Sequence, residues 1–289
     1  LAAHPAQAEV LLNLDATSLA DGPLTSWTNT GSVTGNFAVS DEASAPVVSS
    51  VAGVKGVNMT SAAFFTGPVA PDRVTADGAR TIEAWVYNPS GSNFETIIAW
   101  GRRGTDNSNS AFSHGVHPTW GAFGGWGAAD LDWQEKNVFG AWNYVVYTYD
   151  GFTSAVYSNG ELANSEEIFL STFAVDTNSQ PLPFRVGAAN NADGTPFRDE
   201  PPSFTLGVVR VHDVALTGDE IRAKFETEQG PFGLLDSDGD GMPDGYEDSY
   251  PFLNPDSAAD AALDEDSDGL TNLEEYTAKT RPDNRDTDG

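Results

Sequence analysis

Asn143-Tyr144-Val145-Val146-Tyr147-Thr148-Tyr149-Asp150-Gly151, then Ala155-Val156-Tyr157-Ser158 and Asn159-Gly160, is the stretch that decides the fold. β-branched and aromatic residues run on both sides of an Asp-Gly, and an Asn-Gly follows. Such runs favour a pleated strand, and Asp-Gly and Asn-Gly tolerate the positive φ angles of tight hairpin turns. The segment therefore predicts a β-hairpin. The same grammar repeats outward: Val10-Leu14, Thr81-Tyr87, Thr96-Trp100, Trp142-Tyr149, Ser154-Ser158, Phe184-Val186 and Phe204-His212 read as strands. Asp21-Gly22, Asp77-Gly78 and Asp193-Gly194 lie between them. Many short strands with turn chemistry and no long helical period predict an all-β antiparallel sandwich. One short helix is expected at Thr217-Phe225, where Thr217 and Glu220 form a capping box and Ile221 and Phe225 share a face. The pattern stops at Gln229-Gly230-Pro231-Phe232-Gly233, a Pro/Gly junction.

Four blocks carry a resemblance to a known family. They are Thr81-Ile82-Glu83-Ala84-Trp85-Val86, Ala141 to Gly151, Val156-Tyr157-Ser158-Asn159-Gly160-Glu161-Leu162, and Phe184-Arg185-Val186-Gly187-Ala188 with Gly207 to Leu216. Their order and spacing resemble laminin-G-like domains of the concanavalin A-like lectin/glucanase superfamily. The resemblance implies a jelly-roll of two packed sheets and binding of glycans or proteins more often than catalysis. Ser158-Asn159-Gly160 stands where Val-Asp-Gly is common, and Gly207-Val208 where an acidic residue often sits. The family's rim calcium site is therefore not carried over to this chain.

The tail is the most specific part of the sequence. Of a formal net charge of −29, residues 230–289 supply 17 acidic against 3 basic residues. The carboxylates recur at ligand spacing. Asp236, Asp238, Asp240, Met242, Asp244 and Glu247 occupy positions 1, 3, 5, 7, 9 and 12 of a calcium loop, with Gly241 at the turn. Asp264, Asp266, Asp268, Leu270, Asn272 and Glu275 repeat the pattern 28 residues on, with Gly269 at the turn. Calcium, a hard cation, takes six to eight oxygens, and Met242 and Leu270 would offer main-chain carbonyls. Asp256 is expected to cap a short helix over Ser257-Leu263, and Leu273 and Tyr276 to share a face of the helix leaving the second loop. The half-formed first loop resembles thrombospondin type 3 and bacterial extracellular calcium repeats. Asp286 and Asp288 begin a third repeat, which points to a longer array. A dockerin-like pairing fits the 28-residue spacing and the position-12 glutamates poorly. Too few Met and Phe are present for a sensor groove, so calcium is expected to stiffen the tail.

The domain reading is thus a leader over 1–8, a jelly-roll over 9–229 and calcium repeats over 230–289. Ala6-Gln7-Ala8 reads either as a signal-peptide remnant or as an Ala-rich start of the mature chain. Calcium loops favour a secreted or cell-surface protein, and the absence of cysteine excludes disulfides and thiolate chemistry. The negative charge argues against nucleic-acid partners, and no apolar run is long enough to insert into a membrane.

For ligand binding, His114, His117, Trp120, Trp126 and Trp133 lie in a Gly-rich aromatic stretch, preceded by Arg102, Arg103 and Asp106 and accompanied by Asp130 and Asp132. The rings can face sugar C–H groups, or they can fill the sandwich core. No paired-carboxylate strand and no Gly-x-Ser-x-Gly elbow is present, so no enzyme is expected. Two functions follow as expectations. One is a carbohydrate-binding recognition module with a calcium-stiffened spacer. The other is an adhesive surface protein whose domains assemble with each other through calcium.

Overall fold

The computed structural model describes residues 8–127, 129–198 and 201–285. Residues 1–7 of the leader and the start of the third repeat, Asp286 and Asp288, lie outside them. The chain divides into two compact units between Phe225 and Glu226.

The first unit is the sandwich. The hairpin forms as the sequence predicts: Trp142–Tyr149 pairs with Thr153–Ser158 from Val145↔Ser158 to Tyr149↔Ser154. Asn159 (φ 48°) and Gly160 (φ 81°) then turn the chain into Glu161–Glu167. Positive φ at both turn residues is the requirement that Asn-Gly satisfies. In hydrogen-bonded order, one sheet runs Glu161–Glu167, Thr153–Ser158, Trp142–Tyr149, Arg80–Tyr87, Thr205–His212, Val54–Asn58, Val47–Val51, Gly22–Pro23, with Val10–Asp15 beside Thr205–His212. The other runs Asp130–Leu131, Phe123–Gly124, Asn109–Ser113, Thr96–Gly101, Pro183–Val186, Phe65–Val69, Phe37–Val39, Ser26–Trp27. The pairings are antiparallel throughout.

Strand alternation builds the core. Ile82, Ala84 and Val86 point inward with Val145, Tyr147, Val209 and Val211, meeting Ile98, Trp100, Phe112 and Phe184 of the opposite sheet. The outer positions Glu83 and Trp85 are buried too, at 1% and 0% exposure, because the helix Gly218–Glu228 covers them. Phe225 stacks over Trp85 and Tyr144 with centroids 6.1 and 6.3 Å away. Cover on both faces explains why all of Trp142–Tyr149 is buried and why bulky side chains occur at both its odd and even positions. Thr217 caps the helix as predicted: its Oγ1 accepts from the Glu220 N–H while the Thr217 N–H donates to the Glu220 carboxylate.

The second unit is built around Met242, Leu253 and Ala261, with Tyr246, Leu273 and Tyr276 packed on them. Thr271 and Glu274 form a capping box on the helix Asn272–Ala278. The helix expected over Ser257–Leu263 is absent, and the segment is a series of turns. The Asp260 carbonyl is taken by Asn272 Nδ2 at 2.8 Å, and the Asp260 carboxylate by the Asn254 N–H at 2.7 Å. Helical pairing gives way to these tertiary bonds.

Candidate functional site

The aromatic stretch folds into two environments. Trp133 is buried, donates from Nε1 to the Gly121 carbonyl at 3.2 Å, and packs on Phe112. His114 is fully enclosed between the amides of Asn88 and Asn143, and burial lowers its pKa to about 3, leaving a neutral ring. These two residues are therefore corrected from ligand contacts to core. Glycine serves the packing: a Cβ on Gly115 would lie 2.3 Å from the Asn93 carbonyl, and one on Gly125 2.4 Å from that of Ala129.

Trp120 and Trp126 remain at the surface, 38% and 37% exposed. Both line a cleft of about 510 Å³ on the outer face of the sheet containing Thr96–Gly101, together with Phe94, Arg103, Asp130 and Phe197. His117 stacks flat on Trp120, at 3.2 Å and 10°, covering one of that ring's two faces. Trp126 is held by its own main chain. Its φ is 76°, its N–H donates to Asp130 Oδ1 at 3.2 Å, and its carbonyl accepts from Asn107 N–H at 3.1 Å. A bulky residue at positive φ is strained and persists only where its surroundings over-determine it.

The Arg103 guanidinium lies over the rings of Phe197 and Trp126, 3.4 and 4.6 Å from their centroids. Burial raises the Asp130 carboxyl to about 6 even though the Trp126 and Gly125 N–H groups favour its charged form. Both of those bonds fall on Oδ1. The cleft thus offers two flat rings, a planar cation and a carboxyl. Asp132 points elsewhere, accepting from Gln134 and Asn164. Arg102 lies over Phe173, away from the two tryptophans.

The tail loops share one internal geometry. Asp236 Oδ1 accepts from the N–H groups of Gly239 and Asp240, and Oδ2 from that of Gly241. Asp264 does the same with Ser267, Asp268 and Gly269. Asp240 and Asp268 each accept from the N–H two residues on, those of Met242 and Leu270. Gly241 and Gly269, at φ 98° and 110°, supply the turn.

One side-chain oxygen each of Asp238, Asp240, Asp266, Asp268 and Asn272, and both of Glu247, are buried without a hydrogen-bond partner. Glu247 is fully buried, and desolvation, then the charges of Asp240, Asp238, Asp260 and Asp244, raise its pKa to about 7. The carboxylate oxygens of Asp264, Asp266 and Asp268 lie within 4.8 Å of one another, as do those of Asp236, Asp238 and Asp240. Hard oxygens converging without protons to bind fit a hard divalent cation. Asp244, expected at position 9 to act through water, has its carboxylate accepting from Ser237 N–H and Oγ, both at 2.7 Å.

Sequence reasoning sees Glu83 only as a lone carboxylate, and the fold surrounds it with Tyr144, His212, Lys224 and Arg210. Tyr144 Oη and His212 Nε2 bond it directly. Lys224 Nζ and Arg210 Nη1 lie 3.4 and 3.5 Å away. Burial alone would raise its pKa, but the His212 hydrogen bond and the charges of His212, Lys224 and Arg210 hold it at about 2. Its only sequence signal is a lone Glu inside an apolar strand.

A two-sheet jelly-roll with an aromatic cleft on one outer face defines a class of lectin-like sandwiches. The chain belongs to the concanavalin A-like lectin/glucanases superfamily, whose laminin-G-type family matches residues 65–222. No curated protein matches it. Among solved structures it is similar to Trypanosoma rangeli sialidase in complex with sialic acid, at 16% identity and TM-score 0.52 over 77% of this chain and 33% of that one. It is also similar to the receptor binding domain of botulinum neurotoxin D, at 13% identity and TM-score 0.50 over 79% of this chain and 54% of that one. A third is domain 4 of AbnA, an extracellular arabinanase from Geobacillus stearothermophilus in complex with arabinotriose. There identity is 15% and TM-score 0.47, over 75% of this chain and 98% of that domain. The match thus spans about a third of the sialidase and half of the toxin domain.

Proposed function

We propose that this chain is an exported carbohydrate-binding module whose acidic tail is folded by calcium. The observation that carries the reading is the cleft in which Trp120 and Trp126 are exposed while Arg103 and Asp130 converge on them. Flat rings receive the C–H face of a pyranose, and the cation and the free Oδ2 of Asp130 address its hydroxyls. Membership in a superfamily named for lectins and glucanases supports the same reading. Binding is favoured over hydrolysis because Asp130 is the one carboxylate lining this cleft among the described residues, whereas a glycosidase uses two. Glycan-array binding by the full chain, weakened about tenfold by Trp126→Ala, is the expected result; an array with no bound glycan would overturn it.

In the tail, Asp236, Asp238, Asp240 and Glu247, and Asp264, Asp266, Asp268 and Glu275, would hold one calcium each, with Met242 and Leu270 giving carbonyls. Asn272 would complete the second site. This resembles thrombospondin type 3 repeats and supports an extracellular setting, where calcium is abundant.

A second reading, self-assembly through the sandwich, draws on Phe152 and Phe169, 61% and 65% exposed and adjacent through the Ile168 N–H to Phe152 carbonyl bond. Exposed apolar patches of this kind mark interfaces. Size-exclusion chromatography with and without calcium separates the two. A calcium-dependent polymer favours assembly, and a monomer that retains glycan favours recognition.

A further inference from the structure

We infer that the first cation site is completed by a residue outside its own loop, Asp260. Carboxylate oxygens of Asp240, Glu247 and Asp260 lie within 4.8 Å of one another, although Asp260 stands thirteen residues beyond the loop's last position. Asp260 is only 6% exposed. Its Oδ2 is accounted for by the Asn254 N–H at 2.7 Å, while its Oδ1 is buried with no hydrogen-bond partner. Both oxygens of the fully buried Glu247 are in the same position. Three carboxylates brought together out of water repel one another and lack solvation, an arrangement that a divalent cation among them reverses. A role for Asp260 as a turn cap explains one of its oxygens and leaves the other buried without a partner, in a carboxylate that lies beside those of Glu247 and Asp240.

What places Asp260 there is the second loop. Asn272 Nδ2 donates to the Asp260 carbonyl at 2.8 Å, and the Leu273 N–H to the Ala261 carbonyl at 3.1 Å. The Asp260 main chain is therefore tied to the start of the helix leaving loop two, while its side chain reaches loop one. Ala261 packs with Met242 and Leu253 alongside. Asp260 links the two loops: a cation in the first pulls on a residue whose backbone the second holds. The additional anionic ligand also raises the first site's affinity above what its own twelve residues give, since charge count tunes calcium affinity.

This inference rests on the proposal that both loops take calcium, and the test separates the two. Calcium chloride is titrated calorimetrically into the full chain in two backgrounds. Glu275→Gln disables the second loop so that the first is read, and Glu247→Gln does the reverse. Asp260→Asn retains an oxygen for the Asn254 N–H and removes the charge. Added to Glu275→Gln, it is expected to weaken calcium binding by about tenfold or more. Added to Glu247→Gln, it is expected to change the remaining affinity by less than about threefold. An unchanged affinity in the first background overturns the role of Asp260 and leaves the loops standing. An equal loss in both backgrounds also overturns it, because Asn would then be loosening the whole tail. No calcium uptake by Glu275→Gln alone removes the first loop as a calcium site, and the inference falls with it.

Discussion

Lys224 Nζ sits 3.4 Å from Glu83 Oε1, joining the helix Gly218–Glu228 to the central strand Arg80–Tyr87 beneath it. The lysine is partly exposed and the carboxylate almost wholly enclosed. Removing the acid would leave Arg210, His212 and Lys224 facing each other. Glu83→Ala is expected to destabilise the sandwich by about 3–5 kcal/mol, as other broken buried ion pairs do. Urea unfolding followed by tryptophan fluorescence measures it.

The same carboxylate sets an acid limit. Its pKa is about 2 in the folded chain against an ordinary 4.5, so its charged form contributes stability that is complete above pH 4.5. That contribution is lost as pH falls toward 2, and amounts to about 3 kcal/mol. Urea midpoints of wild type and Glu83→Gln should converge through this window. Parallel curves would assign the acid lability to other carboxylates.

His114 should act at milder acidity. Burial lowers its pKa from 6.5 to about 3, so the unfolded chain takes up a proton there before the folded chain does. Stability should decline as pH falls from 6.5 toward 3, and His114→Gln should remove that part of the slope. Histidine proton shifts in NMR titration, flat down to pH 4, would confirm the buried neutral ring.

The tryptophans should separate by role. Trp120→Ala and Trp126→Ala are expected to weaken glycan retention about tenfold each while leaving the melting temperature within about two degrees. Trp133→Ala should instead cost about 3–5 kcal/mol of stability by opening a cavity against Phe112. Affinity electrophoresis and thermal denaturation, run on all three, distinguish the two groups.

Calcium should act on the tail. At a free concentration 100 times the dissociation constant, each filled site stabilises by about 2.7 kcal/mol. Scanning calorimetry in calcium and in EDTA should show the tail transition moving and the sandwich transition staying. Identical traces would sink the proposed calcium role.

How much of this was readable from the sequence depends on burial geometry. Trp142–Tyr149 and Thr205–His212 were legible because strands enclosed on both faces are rich in β-branched and aromatic residues, whatever few polar side chains they also carry. The short strands Gly22–Pro23, Ser26–Trp27 and Phe37–Val39 were not, since two or three residues show no period and pair only through their neighbours. Nor was Phe65–Val69, in which Gly67 and Pro68 speak against a strand. The turns of the two acidic loops were readable position by position because each carboxylate and the N–H groups it accepts from are neighbours in the chain. Asp260 was invisible because its partners, Asp240 and Glu247, are local only in space. Trp126 and Trp133 carry the same sequence signal, and only the fold turns one outward and the other in.

The left-handed backbone at Trp126 has a consequence for selectivity. With its main chain fixed and the Arg103 guanidinium over its ring, Trp126 would have little freedom left to surrender to a ligand. On the proposed glycan role, such a wall would sort ligands by stereochemistry: a pyranose with an unobstructed face would lie flat on it, and an epimer with an axial hydroxyl on that face would be held off.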